Sequence, residues 1–187
     1  IRDRAAKPNR LTSGYPVSYI LTEGVSVSQV SRGDYTLDIF SEDSKLYADR
    51  KYTVEQAPEG LLDAGVVQIM TMNSDKQEAS DGFLHFEVHG DAQVIVGIDK
   101  RVESDSDWLE AWKATGDQII SSRSTVYNLY SRKIHSDRVT LGGNGGTGED
   151  DMYLIFVRPM AASSSVVAGL NKSLYELGHV EEGDAYY

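Results

Sequence analysis

The fold is decided between residues 83 and 159 by three stretches, FLHFEVHGDAQVIVGIDKRV (83–102), DSDWLEAWKATG (105–116) and VYNLYSRKIHSDRVTLGGNGGTGEDDMYLIFVRP (126–159). The first stretch alternates apolar and polar residues and then becomes a short apolar run, a pattern typical of a half-buried strand followed by a core strand. The second predicts a short helix, and the third predicts further strands around a glycine-rich loop. No arrangement of residues typical of a catalytic centre stands out in them.

The residues before this region also predict short strands. β-branched and aromatic residues occur in runs that Pro16, Gly24 and the turn signal at 32–34 interrupt. The continuous apolar run AGVVQIMTM (64–72) predicts a central strand buried on both faces. About ten short strands at such spacing predict an all-β fold, a β-sandwich or jelly roll.

One short helix is predicted at about residues 106–114. Ser104 and Asp107 have the spacing of a capping box, and Trp108 and Trp112 fall on one side of about two turns. The helix is expected to end at Gly116, because a glycine is common after the last turn of a helix.

The chain divides into three predicted parts. Residues 1–14 form a basic arm with four cationic side chains, residues 15–159 form the β-sandwich, and residues 160–187 form a strand-like tail. Within the tail, YELGHVEEGDAYY (175–187) aligns without gaps on YTLDIFSEDSKLY (35–47). This likeness indicates that the opening strand of a module reappears, either to begin a second module or to pair with a neighbouring copy by strand addition.

Composition excludes several classes of partner. The chain has 187 residues, with 29 acidic against 18 basic residues and a net charge of -11, which opposes binding to nucleic acid or anionic lipid. No apolar run approaches the roughly 20 residues of a transmembrane helix, so membrane insertion is not expected.

The chain has no cysteine, which excludes disulfides and thiolate metal sites. Its start at Ile1 fits a mature chain after removal of a leader, and an extracellular or cell-surface location is predicted.

Short blocks of residues stand at intervals between about residues 35 and 159. They are Tyr47 to Tyr52 (YADRKY), Pro58, Asn73 to Lys76 (NSDK), Phe86, Val96 to Asp99, Arg101, Trp108-Leu109, Thr115-Gly116, Leu141 to Asn144 (LGGN) and Met152-Tyr153. Together the blocks resemble accessory β-sandwich modules of secreted polysaccharide-degrading enzymes and other exported bacterial proteins, which often occur in tandem. The resemblance implies a non-catalytic, carbohydrate-binding-like module, and it transfers no ligand residues to this chain.

The glycine-rich loop satisfies the pattern GxGxxG between Gly143 and Gly148, and a strand precedes it. A nucleotide site would need a helix to follow, whereas Glu149 and two aspartates lead into another strand. A hairpin loop is therefore favoured. Asp150 and Asp151 with these glycines bear a weaker likeness to a calcium-binding turn, without the ligand alternation of one.

His85, Glu87 and His89 project from one face of a strand at a spacing that could supply metal ligands. A merely solvated face explains the same pattern, because no fourth ligand can be predicted. No metal site and no cofactor are therefore predicted.

Trp108 and Trp112 are the best candidates for binding a glycan, with Asp99 and Arg101 as nearby hydrogen-bonding groups. The alternative is that the two indoles close the sandwich as a hydrophobic plug. The segment Asp99-Lys-Arg101 could equally form structural ion pairs with Glu103 and Asp105 at the end of a strand.

Two functions follow from these observations. The first is a non-catalytic extracellular subunit that self-associates into a filament or array, since a donated strand would hydrogen-bond along an open sheet edge. The alternative is a carbohydrate-binding module that recognises extracellular polysaccharide. An enzyme ranks third, because no catalytic residues are predicted. The residues expected to contact other copies of the chain are Arg2, Arg4, Tyr175, Leu177, Val180, Tyr186 and Tyr187.

Overall fold

The computed structural model describes residues 19–22, 24–63, 65–102 and 107–160. This part of the chain contains nine β-strands, one short α-helix and two 3-10 turns. The predicted all-β sandwich class with little helix is confirmed. The elements are β1 (Tyr19–Thr22), β2 (Val25–Ser28), β3 (Thr36–Ile39), β4 (Val54–Gln56), α1 (Glu59–Leu62), β5 (Val67–Met70), a 3-10 turn (Asn73–Asp75), β6 (Leu84–Asp99), a 3-10 turn (Asp107–Leu109), β7 (Lys113–Ser121), β8 (Val126–Leu141) and β9 (Leu154–Pro159).

The strands form one curled antiparallel sheet in the order β3-β5-β9-β6-β8-β7-β4, and the β1-β2 hairpin joins it through β6. Strand β8 follows β6 along nearly its whole length. On its other side, β6 has two successive neighbours: Val27 of β2 lies opposite Val88, and Val157 of β9 lies opposite Val94. One long strand therefore connects both parts of the curled sheet.

A bulge near Gly90 lets β6 change neighbours. The sequence predicts two strands here and two more around residues 125–141, whereas the structure has one 16-residue strand in each place. The register shifts between Val88 and Asp91, and Gly90 adopts a φ of 95°. The Gly90 N–H donates to Ser136 Oγ of β8 at 2.8 Å. The glycine thus marks a bulge that bends a continuous strand, not a turn that ends it.

The core lies where β5, β9 and β6 run side by side. The prediction of a central, buried strand at 64–72 is confirmed, because Val67, Gln68 and Ile69 of β5 are all buried between β3 and β9. Four consecutive residues of β9 are buried as well. The ring of Phe156 in this strand meets Phe40 edge-on at 4.7 Å between centroids. Strands buried on both faces are expected to be apolar without alternation. The buried part of β9 follows this rule, and β5 departs from it at Gln68, whose Nε2 donates to the Leu46 carbonyl.

The helix predicted at 106–114 is reduced to the 3-10 turn at 107–109. Strand pairing overrides helical periodicity here, because Lys113 and Ala114 already lie opposite Ser131 and Tyr130 of β8. Ser104 of the predicted capping box lies outside the described residues. The sequence prediction also omitted α1, a single turn that begins directly after a proline.

The predicted basic arm (1–14) and nearly all of the strand-like tail (160–187) lie outside the described residues, so that division of the chain stays a prediction. Within the described ranges, no helix has the length and apolar character needed to cross a membrane.

The bulge can be tested with two glycines that share a backbone conformation. Gly90 and Gly116 both lie at register irregularities with positive φ, 95° and 87°. A Cβ at Gly90 would overlap the carbonyl oxygen of Gly24, whereas a Cβ at Gly116 would meet nothing within 4 Å. Each alanine variant should lose about 1–2 kcal/mol to backbone strain. Gly90→Ala should lose about 1–3 kcal/mol more through overpacking.

Urea denaturation of both variants measures this difference directly. Gly116→Ala serves as the matched control for the cost of the left-handed backbone. Equal losses of unfolding free energy in the two variants would contradict close packing between Gly90 and the β1-β2 turn.

Candidate functional site

An open polar pocket of about 290 Å³ lies at one end of the sheet. Because neighbouring strands are antiparallel, the ends of β5, β6 and β7 meet the starts of β8 and β9 there. The segments that follow or precede these strand ends supply the pocket walls. The lining residues are Arg50, Tyr52, Asn73, Lys76, Arg101, Arg123, Thr125, Glu149 and Asp151.

Asp99, the last residue of β6, lies beneath the floor of the pocket, behind its lining residues. Its side chain is fully buried, and its Oδ2 atom accepts a hydrogen bond from the backbone N–H of Asp151 at 2.7 Å. Arg101 donates to the same carboxylate from Nη2 at 2.5 Å and from Nε at 3.0 Å. The carboxylate therefore fixes a half-exposed guanidinium at the pocket wall and ties the end of β6 to the segment before β9.

Burial and hydrogen bonds shift the pKa values of Asp99 and Arg101. Burial alone would raise the pKa of Asp99, but hydrogen bonds from the Arg101 side chain and backbone and from the Asp151 backbone outweigh it, so the pKa falls below its ordinary value. The hydrogen bond to Asp99 raises the pKa of Arg101 despite partial desolvation. At neutral pH the pair is therefore an aspartate beside a cationic arginine.

Asp151 lines the floor of the pocket and holds neighbouring side chains in place. Its Oδ1 atom accepts from Asn73 Nδ2 at 3.0 Å, and its Oδ2 atom accepts from Thr125 Oγ1 at 2.9 Å and from the Tyr127 hydroxyl at 3.2 Å. Arg101 Nη2 lies 3.6 Å from Oδ2. Since both oxygens already have donors, this carboxylate holds pocket side chains in place and is poorly suited to accept a proton from a substrate.

Two buried tyrosines support the floor from below. The hydroxyl oxygens of Tyr47 and Tyr127 lie 2.9 Å apart, and Tyr47 also donates to the Met152 carbonyl at 2.5 Å. Burial raises the pKa of both phenols, so both stay neutral well above physiological pH. Buried and hydrogen-bonded side chains of this kind give the pocket a fixed shape.

The rim of the pocket carries cations and one aromatic ring. Asp49 pairs with Arg50 at 2.6 Å and also accepts the backbone N–H of Asn73 at 2.8 Å. The guanidinium carbon of Arg123 lies 5.5 Å from the centroid of the half-buried Tyr52 ring, within the range of a cation–π contact.

The four residues predicted as glycan-binding do not lie together. Arg101 lines the pocket and the buried Asp99 holds it from beneath, but Trp108 and Trp112 are not among the lining residues. Trp108 packs edge-on against Trp112 at 6.2 Å and against Tyr153 at 5.6 Å between centroids, and its Nε1 donates to the Gly143 carbonyl. Trp112 is only 8% exposed. This geometry favours the packing role that the sequence also allowed.

The residues expected to mediate assembly, Arg2, Arg4, Tyr175, Leu177, Val180, Tyr186 and Tyr187, lie outside the described residues. Sequence reasoning singled out none of Arg50, Tyr52, Lys76 and Arg123 as site residues. The signal that could have found three of them is the set of short blocks, because Arg50, Tyr52 and Lys76 stand in YADRKY and NSDK.

The glycine-rich loop connects β8 to β9, which flank β6 on opposite sides, so the hairpin predicted here is wrong. Its amides are already used: Gly143, Gly145 and Gly146 donate to backbone carbonyls of residues 76–80. No amide cradle for a phosphate remains at these three positions.

Within the residues that the structure describes, no group of three or more histidine, aspartate or glutamate side chains is arranged to hold a metal ion. The candidate ligands His85, Glu87 and His89 on β6 therefore do not form a metal site.

Replacing Asp99 tests the pocket floor. Asp99→Asn should lower the unfolding free energy by about 1.5–3 kcal/mol at neutral pH, because the Arg101 guanidinium loses its charged acceptor. The folded-state pKa of Asp99 is lowered from 3.8, so the stabilisation is present above that value and is lost as the pH falls through the folded-state pKa.

Urea unfolding at about pH 7 and below about pH 3 checks this expectation. The stability of the wild type should fall more steeply on acidification than that of the variant. Asp117→Asn, at an exposed position of β7, should change stability by less than about 0.5 kcal/mol. Parallel acid profiles for wild type and Asp99→Asn would rule out the proposed charge pair.

Alkaline conditions test the buried phenols. Burial raises the pKa of Tyr35, Tyr47, Tyr127 and Tyr153 above the ordinary value of 10.0. The folded chain therefore holds these protons more tightly than the unfolded chain. The stabilisation is complete below pH 10 and declines as the pH rises further.

Unfolding free energies should be nearly level up to about pH 9 and should fall steadily between about pH 10 and about pH 12. Tyr47→Phe should show a shallower decline, because one of the shifted phenols is absent. A flat profile in the wild type would contradict the burial of these hydroxyls.

Comparisons with known proteins support the fold described above and identify no family for this chain. No family model matches the chain, and no similar protein is found among curated proteins. The structure of a beta-glucuronidase from glycoside hydrolase family 2 matches 72% of this chain with a TM-score of 0.64 and 20% identity. An enzyme of glycoside hydrolase family 138 that targets pectin rhamnogalacturonan II matches 66% with a TM-score of 0.46 and 15% identity. This chain covers only 14% and 15% of those two chains, so the likeness to the first concerns the fold of one part of a larger hydrolase.

Proposed function

We propose that this chain is a non-catalytic carbohydrate-binding β-module and that its ligand enters the polar pocket at the end of the sheet. The observation that carries the proposal is the convergence of fixed polar side chains on one open cavity. Its volume of about 290 Å³ lies near the small end of the range for ligand sites, which suits one sugar residue of a longer chain.

The pocket groups are held in place before any ligand arrives. Asp99 orients Arg101, and Asp151 orients Thr125 and Asn73 through bonds of 2.5–3.0 Å. A binding site whose side chains are already ordered loses less conformational entropy on association. Thr125 donates its proton to Asp151, so its oxygen still has acceptor capacity for a sugar hydroxyl.

Tyr52 lines the same pocket and holds one of its cations in place. The ring is half-buried, meets Tyr47 edge-on at 6.1 Å and lies beside the Arg123 guanidinium. Because the exposed lining of the pocket is almost wholly polar, the ring contributes by positioning Arg123, and the lining would recognise a sugar through its hydroxyls.

A binding role is favoured over hydrolysis by the carboxylates of the pocket. Glycoside hydrolases commonly use two carboxyl groups on either side of the scissile bond. The pocket lining includes Glu149 and Asp151, and both oxygens of Asp151 are engaged by protein donors. That leaves Glu149 as the one lining carboxylate, among the described residues, that is available to a substrate.

The self-assembly hypothesis gains no support from the described residues, because its arm and tail lie outside them. A filament or array formed with copies of the chain therefore stays a prediction from the sequence. An extracellular or cell-surface location accompanies the carbohydrate proposal, since polysaccharide is the partner it names.

Titration calorimetry of the full chain against a panel of soluble neutral and acidic polysaccharides tests the proposal. At least one polysaccharide should bind, and Tyr52→Ala should weaken that binding at least about tenfold, or about 1.4 kcal/mol. Tyr130→Ala is the matched control, because Tyr130 is a half-buried tyrosine of β8 outside the pocket lining.

Circular dichroism of each variant separates loss of folding from loss of binding. The proposal fails if no polysaccharide in the panel binds, or if folded Tyr52→Ala and Tyr130→Ala bind as well as the wild type.

A further inference from the structure

We infer that the glycine-rich loop between β8 and β9 binds a calcium ion, with Asp150 as its buried carboxylate ligand and backbone carbonyls of the loop as further ligands. The inference goes beyond the proposed function and does not depend on it. It rests on a buried carboxylate oxygen of Asp150 for which the described residues supply no partner.

Asp150 is shielded from water, but only one of its two carboxylate oxygens is satisfied. The residue is 1% exposed, and its Oδ2 atom accepts the backbone N–H of Thr147 at 3.0 Å. Its Oδ1 atom has no hydrogen-bond partner, and no lysine, arginine or histidine of the described ranges forms an ion pair with it. A carboxylate removed from water without a donor or a cation carries a large desolvation cost. The Oδ1 atom therefore indicates a partner from outside the chain.

The other two buried aspartates at this end of the sheet are compensated by the protein itself. Asp99 pairs with Arg101, and both oxygens of Asp151 accept hydrogen bonds from neighbouring side chains. Glu149 and Asp151 line the polar pocket, whereas Asp150 between them does not. Asp150 therefore belongs to a site separate from the pocket.

Gly146 brings the loop backbone into direct contact with the Asp150 carboxylate. A Cβ at Gly146 would overlap Asp150 Oδ1, so only a glycine allows this approach. The backbone N–H groups of Gly145 and Gly146 donate to the carbonyls of Glu78 and Lys76 at 2.7 and 3.1 Å, which anchors the loop. The Oδ1 atom thus lies against a loop backbone whose position is fixed.

The carbonyl oxygens of this backbone supply further ligands. Among the described residues, no hydrogen-bond donor contacts the carbonyls of residues 145–149. Residues 145, 147 and 149 are exposed, so an ion and its remaining water ligands can approach from solvent. Carbonyl oxygens and a carboxylate are the ligands that hard cations prefer.

Calcium is the cation that such a set of ligands suits best. It takes about 6–8 oxygen ligands in flexible geometry, including carbonyls and waters, whereas magnesium demands a near-ideal octahedron. Because carbonyls supply much of this shell, calcium does not require three clustered acidic or histidine side chains, a group that the described residues lack. A single buried carboxylate places the affinity at the weak end of protein calcium sites, with a Kd of roughly 10⁻⁴ to 10⁻³ M.

Calorimetric titration of the metal-free full chain with calcium chloride tests the inference. Binding should saturate with a Kd of roughly 10⁻⁴ to 10⁻³ M, and about 10 mM calcium should raise the Tm by about 3–10 °C. Asp150→Asn keeps the shape of the side chain without its charge and should weaken calcium binding at least about tenfold. Asp117→Asn removes the same charge from an exposed position of β7 and should bind calcium as the wild type does.

Magnesium chloride at the same concentration separates a calcium site from general screening of an acidic protein. A smaller rise in Tm with magnesium supports the inference, whereas an equal or larger rise overturns it. The inference also fails if calcium neither binds nor raises the Tm, or if folded Asp150→Asn binds calcium as tightly as the wild type.

Terbium luminescence of the wild type gives an answer even if Asp150→Asn does not fold. Terbium replaces calcium at oxygen sites and emits when a nearby indole transfers excitation energy to it. The Trp108 Nε1 atom donates to the Gly143 carbonyl at 3.2 Å, so this indole lies beside the loop. Tryptophan-excited terbium emission that calcium suppresses is expected, and emission that is absent or insensitive to calcium would contradict a site in this loop.

Discussion

The buried carboxylate of Asp99 is the constraint on which the functional end of this molecule depends. An ionised group with no exposure to water needs compensation from donors, and here Arg101 and the Asp151 backbone supply it. The hydrogen bond from the Asp151 backbone joins the end of β6 to the segment before β9, and the Arg101 contact fixes a guanidinium at the pocket wall. Asp151 then accepts hydrogen bonds from two further segments, from Asn73 after β5 and from Thr125 and Tyr127 at the start of β8. The electrostatic needs of two carboxylates therefore determine the shape of the cavity.

The strand arrangement brings these groups to one place. In an antiparallel sheet, adjacent strands run in opposite directions, so the ends of β5, β6 and β7 share an edge with the starts of β8 and β9. Segments distant in sequence thereby become the walls of one cavity. The bulge at Gly90 lies in the middle of β6, where the strand passes from one neighbour to the next. The bulge that shapes the sheet and the polar pocket thus lie at different points along the same strand.

Much of the fold could be predicted from sequence because its signals are local. The apolar run around Ile69 gave the central strand, and alternation from Leu84 gave the first half of β6. The glycine bulge resembled a strand break, since a one-residue register shift has no local signature. Helical spacing of Trp108 and Trp112 was overridden by pairing of β7 with β8. The pocket could be predicted only in part, because its residues meet through long-range pairing that no local pattern encodes.

The packing of the two indoles has a spectroscopic consequence. The chain contains only two tryptophans, and both lie against Tyr153 or against each other, outside the pocket lining. Indole fluorescence therefore originates from two side chains packed against the core, one buried and one half-buried, whereas the aromatic ring at the pocket is a tyrosine. Emission from the indoles is an intrinsic signal for the packing of this part of the core. The optical reporter of folding thus lies outside the lining of the polar pocket.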